Sequence, residues 1–214
     1  AQSLSWQRRA GVAEAVLVER AGVRPFNFCD VVEALPVGFT RIREGDALDI
    51  GGRRWMVRCG DGHAPEHATL WSDGLVIGGD QLLPGISANI GVYPTEPEAD
   101  PLTEWLESCR RFQAVAGDEF VLPGHKLPFT GLPFRLVAMI ENHESALERL
   151  LAHLAAPRMA TECFVPLFKR EIGGAEHGLA LVEAVAHLNC LLARGVVSRR
   201  LSAGGAWLWQ RENG

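Results

Sequence analysis

The chain has 214 residues, 47% of them apolar and 22% charged, and a formal net charge of -5. That composition supports a buried core and excludes a disordered chain, and the acidic balance argues against a general binder of nucleic acid. No run of about 18 apolar residues occurs, so no membrane-spanning helix is expected, and residues 1–9 carry no apolar signal-peptide region. The five cysteines (Cys29, Cys59, Cys109, Cys163, Cys190) are odd in number and show no Cys-x-x-Cys spacing. They read as reduced thiols of a cytoplasmic protein, most of them packed in apolar surroundings.

In chain order, Val12, Ala15 and Val16 predict a helix over residues 8–20. Residues 21–40, with Gly22, Pro25, Pro36 and Gly38, predict a loop. A turn at 44–46, a short strand at 48–50 and a Gly51-Gly52 hairpin turn lead into a strand at 54–59 that alternates Trp55, Val57 and Cys59. Residues 60–67 form a loop. Strands at 68–71 and 75–79 flank Ser72-Asp73-Gly74, and Asp80 follows. Residues 83–101 form a long loop of a length that is often functional. Asp100 and Pro101 open a helix with Leu102, Trp105, Leu106, Cys109 and Phe112 as its apolar stripe. A strand at 119–122 ends in Pro123-Gly124-His125, and a long helix covers 132–155. Pro157 sets a domain boundary between residues 1–156 and 157–214. Beyond it, helices at 161–170 and 178–194 precede strands at 196–201 and 206–210, the order found at the end of a winged helix.

Three positions share one placement: His63, Asp80 and His125 each lie in a loop just past a strand. Ligands at strand ends converge on one sheet edge without breaking the core, and histidine nitrogen and carboxylate oxygen are ordinary zinc ligands. Each motif alone has a plainer reading, as a turn with a surface histidine or as a helix cap. The three together, in this order, point to a metal site.

The order resembles the later motifs of the metallo-β-lactamase superfamily. Gly62-His63-Ala64-Pro65-Glu66-His67 looks like its third ligand motif, Gly78-Gly79-Asp80 like the motif of the bridging aspartate, and Pro123-Gly124-His125 like the last one. Gln81-Leu82-Leu83-Pro84, Asn89 and Tyr93-Pro94-Thr95-Glu96-Pro97 look like the substrate-side loop of a proteobacterial branch, and residues 158–211 like the winged helix that follows there. The resemblance implies an α/β fold, an αββα sandwich incomplete at its N-terminal half, with a small winged-helix domain. It implies two zinc ions, or zinc with iron or manganese, held through His63, Asp80 and His125, with Asp80 orienting a metal-bound hydroxide. The superfamily's first signature, H-x-H-x-D-H, is absent, because no two of the seven histidines stand two residues apart. Low metal occupancy and little activity are therefore expected of this chain.

The function so implied is hydrolysis of a small ester-like substrate, a thioester, lactone or similar. An RNA-processing nuclease is the alternative, with an acidic chain against it, and a non-catalytic binding protein with a vestigial site is another. His67 is expected to support the site rather than to ligate. His143 is read as a partly exposed helix histidine, with a place at the substrate pocket as the other possibility; His153, His177 and His187 receive no role. The 178–194 helix offers only Glu183, His187, Asn189 and Arg194 as polar side chains, thin for phosphate and base contacts, so no nucleic-acid partner is expected. Missing N-terminal strands would leave an unpaired edge and an apolar face. A homodimer, or residues 21–40 folded over that face with Phe26, Phe28, Val31, Val32, Leu35 and Phe39, is expected to hide it.

Overall fold

A computed structural model describes residues 2–24 and 27–212. Its architecture is mixed α/β, one five-stranded sheet with helices and a two-stranded hairpin. Strands β1 (Ala47–Ile50), β2 (Arg53–Gly60), β3 (His67–Ser72) and β4 (Leu75–Gly79) form an antiparallel meander, and β5 (Phe120–Pro123) joins β4 in parallel. A parallel partner needs a crossover, supplied here by the 80–100 loop and helix α3 (Pro101–Gln113). The Asp100 carboxylate accepts from the Thr103 amide at 3.1 Å and caps α3, and Leu102, Trp105, Leu106, Cys109 and Phe112 are all buried. Trp71 of β3 stacks on Phe112 with ring centroids 5.8 Å apart, which seats α3 on one sheet face.

Helix α4 (Leu132–His153) buries Leu132, Leu136, Met139, His143, Ala146, Leu147 and Leu150, a stripe at helical spacing. Helix α6 (His177–Ala193) is buried almost all round, including Glu183's neighbours Val182 and Ala184. A helix apolar on every side belongs in the middle of a fold. The 80–100 loop is pinned along it: Val92 N–H donates to Val182 O at 3.0 Å, and the Asn189 side-chain amide donates to the carbonyls of Pro97 and Ala99 at 3.0 and 2.9 Å. One hydrophobic core runs from Trp6 through α3, α4 and α6 to Trp209, so residues on both sides of Pro157 share it.

Several expectations change. The single helix over 8–20 is two, α1 (Gln2–Arg9) and α2 (Glu14–Ala21). Gly11, at φ +94, breaks them, and there a side chain would collide with Met159 and Thr161. The helix over 161–170 shrinks to a 3-10 turn (Ala160–Glu162) and α5 (Phe164–Phe168), stopped by Lys169 in the left-handed region at φ 58. The hairpin β6 (Val197–Leu201) and β7 (Trp207–Arg211) forms as expected.

Residues 21–40 do not fold over a sheet face. Leu35 is 89%, Val37 100% and Phe39 78% exposed, with Val31 and Val32 exposed as well. Among its described residues the segment has only a 3-10 turn at Phe28–Asp30, so no regular element there lines these side chains up against the sheet; Phe26 and the side chain of Phe28 lie outside the described residues. No described helix is long and apolar enough to cross a membrane. Cys109, Cys163 and Cys190 are buried, and Cys29 and Cys59 are not. Burial pushes the Cys109 and Cys163 thiols up to about 12, which keeps them unreactive.

Candidate metal centre

The sheet and its crossover bring the three sequence-predicted residues together. His63 lies in the loop between β2 and β3, Asp80 follows β4, and His125 follows β5. His63 Nε2 is 3.6 Å from Asp80 Oδ2, and His125 Nε2 is 3.4 Å from Asp80 Oδ1. Asp80 thus presents one oxygen to each histidine. His63 Nδ1 lies 3.0 Å from the Asn89 carbonyl oxygen. A carbonyl can only accept, so Nδ1 donates, and in the neutral ring Nε2 keeps its lone pair toward Asp80.

A ring nitrogen and a carboxylate oxygen at this separation call for a cation between them, a proton or a metal ion. The spacing agrees: two bonds of about 2.1 Å meeting at a tetrahedral angle span roughly 3.4 Å between donor atoms. A carbonyl behind the ligating ring is likewise the usual support of a metal-binding histidine. The donor set therefore fits zinc, with Asp80 shared between a His63 side and a His125 side. Among the described residues no group of three or more His, Cys, Asp or Glu side chains could hold one ion together. The two histidines take opposite oxygens of Asp80, so each side has only two protein donors.

Close backbone approach builds this cluster. A side chain on Gly124 would collide with Asp80 Oδ1. Gly62 lies at φ +96, and a Cβ there would meet the Pro101 carbonyl and lie 2.6 Å from Trp105 Cβ. The loop bearing His63 thus sits directly on the start of α3. Gly62→Ala is expected to cost about 2–4 kcal/mol, the sum of left-handed strain and overpacking against backbone that cannot yield. A shift in the urea midpoint worth less than about 1 kcal/mol would refute that close fit.

The other histidines sort differently. The His67 ring packs on Gly79, with centroid 6.1 Å from that of His63 and Nδ1 buried without a partner. Asp61 serves its turn, its carboxylate accepting from the Glu66 amide at 2.9 Å. His143, expected to be partly exposed, is buried at 2%, because its position on α4 faces α6. Its Nδ1 is 3.3 Å from His187 Nε2, and His187 Nδ1 is 2.9 Å from the Glu183 carbonyl. Glu183 in turn accepts from the Asn89 side-chain amide at 2.9 Å. Burial pushes Glu183 up to about 7, and burial pushes His143 down to about 3 and His187 down to about 4. The i, i+4 spacing of Glu183 and His187 was the only hint of this cluster in the sequence.

The "Metallo-beta-lactamase-like, C-terminal domain" family matches residues 147–212. The structure is similar to that of a beta-lactamase domain protein from Burkholderia ambifaria, at 38% identity and TM-score 0.88 over 95% of this chain and 60% of that one. The chain belongs to the metallo-β-lactamase-fold superfamily. A metallo-beta-lactamase family protein from Thermus thermophilus is similar at 28% identity and TM-score 0.71, over 97% of this chain and 67% of that one. The chain spans 60% of the length of the Burkholderia protein. Among curated proteins nothing matches. Members of the metallo-β-lactamase-fold superfamily are generally hydrolases and typically bind metal ions.

Proposed function

We propose that this chain carries part of the site of a metal-dependent hydrolase acting on a small ester-like substrate, a thioester, lactone or similar. The observation that supports this reading most is the placement of the two Asp80 oxygens, one opposite His63 Nε2 and one opposite His125 Nε2. His63, Asp80 and His125 would hold zinc, iron or manganese. Bound metal would lower a water's pKa from 15.7 toward about 7 and polarise a scissile carbonyl. The protein's own share is orientation. Asn89 fixes the His63 tautomer, the Gly62 loop sets its position on α3, and Asp80 orients the attacking water as an acceptor.

Within this reading the fold is the αββα sandwich of the family, and residues 157–214 are its winged helix, packed as a wall of the site rather than set to read nucleic acid. Support comes from α6: Asn189 holds the 80–100 loop, His187 is buried, and Arg194 pairs with Glu144 at 2.8 and 3.0 Å. A homodimer belongs to the same reading, as does a cytoplasmic setting.

Metal titration tests the proposal. With two protein donors on each side, the chain should take up zinc weakly, in the micromolar range or above and without two tightly held ions, whereas closed structural sites bind by about 10–16 kcal/mol. Absence of any saturable uptake that depends on His63 and His125 would sink it.

A further inference from the structure

Between α4 and α6 lies a cavity of about 440 Å³ that the metal chemistry does not use. Its polar wall includes Ser87, Asn89, Asn142, His143 and Glu183, and its apolar wall includes Leu167, Phe168 and Ile172. Asn89 joins it to the candidate metal centre, since its carbonyl supports His63 while its side chain binds Glu183.

The hydrogen bonds fix what the wall can offer. The Glu183 carbonyl can only accept, so His187 donates from Nδ1 and its Nε2 accepts. His143 must then donate from Nδ1 to His187 Nε2, which leaves the lone pair on His143 Nε2. That atom is buried and has no protein partner. Glu183, which also lines the cavity, has no cationic partner among the described residues. Arg170, at the same cavity, is held by Glu176 through bonds of 2.7 and 3.0 Å. The cavity thus presents the Glu183 carboxylate, without a cation, against an aliphatic and aromatic wall in which the unpartnered His143 Nε2 is buried.

A largely buried carboxylate without a cation is costly, and a ligand that supplies the missing charge should bind. A carboxylate or phosphate would be repelled by the Glu183 carboxylate. A primary ammonium supplies a charge and N–H donors for Glu183 and an alkyl body for Leu167, Phe168 and Ile172. We propose that this cavity binds the primary ammonium end of an aliphatic ligand and forms the subsite for the non-reacting end of the substrate. The second half rests on the hydrolase reading; the binding itself needs no metal.

Hexylammonium and hexanoate, titrated by calorimetry in the presence of a chelator, test this. Hexylammonium should bind saturably at one site and shift the His143 Nε2 resonance, while hexanoate should not bind. Glu183→Gln should weaken binding at least tenfold. Leu179→Trp, at an exposed position on the cavity's edge, should do the same without disturbing the core. No saturable binding, equal binding of hexanoate, or unchanged affinity in both variants would overturn the proposal. Because no metal is present, failure here leaves the metal titration standing, and failure of that titration leaves this result standing.

Discussion

Replacing Asp80 by alanine is expected to lower the affinity for zinc or cobalt(II) by on the order of 100-fold, since even residues that merely support a ligand are worth 10–100-fold. Asp80 is the group within reach of both histidines, at 3.6 and 3.4 Å. Losing it removes a donor from each side, whereas His63→Ala or His125→Ala empties one side only. Each single histidine variant should therefore retain measurable binding, and combining either with Asp80→Ala should add little, because residues that share one ion are not additive. The Asp80 side chain is about one-third exposed, so folding should survive the change. Cobalt(II) absorption gives a second readout, because its intensity reports coordination geometry as well as occupancy. Equal affinities for the native chain and Asp80→Ala would remove Asp80 from the site.

The elements flanking that site were legible because their patterns are strict. Asp100 and Pro101 with the stripe Leu102, Trp105, Leu106, Cys109 and Phe112 allow one reading of α3, and short alternating runs separated by Ser72-Asp73-Gly74 allow one reading of β3 and β4. His63, Asp80 and His125 could be grouped because each follows a strand, so sheet order alone brings them to one edge. The α1–α2 break was hidden because apolar spacing continues across Gly11, and only contact with Met159 and Thr161 demands a glycine at that φ. The apolar residues of the 21–40 loop suggested a cover, yet composition says nothing about direction, and the chain holds Val31, Val32, Leu35 and Phe39 in solvent. The cavity was the least legible part. His143 and His187 are 44 residues apart, and α6 is so uniformly buried that its polar positions mark no face.

Those same buried groups should dominate the acid response. Both histidines have an ordinary pKa of 6.5 that burial depresses in the fold, to about 3 for His143 and about 4 for His187. Below 6.5 the unfolded chain takes up protons that the folded chain refuses, so stability present above 6.5 is lost as the pH falls toward the folded values. Between about pH 7 and pH 5 this amounts to roughly 2 kcal/mol for each histidine. Glu183 acts in the opposite sense. Burial raises it from 4.5 to about 7, so its contribution is complete below 4.5 and is lost as the pH rises through about 7. Over the same acid step it returns roughly 2 kcal/mol, offsetting about half of the histidine loss. Glu183→Gln keeps an oxygen that can accept from Asn89 but cannot titrate. The variant should lose about 4 kcal/mol between about pH 7 and pH 5, against about 2 kcal/mol for the native chain. It should also be the more stable of the two at about pH 8, where the native carboxylate is ionised in a site without a cation. His187→Leu should flatten the acid limb instead. Urea midpoints across that range measure all three, and parallel curves for the native chain and Glu183→Gln would show that Glu183 is not held out of water as the cavity requires.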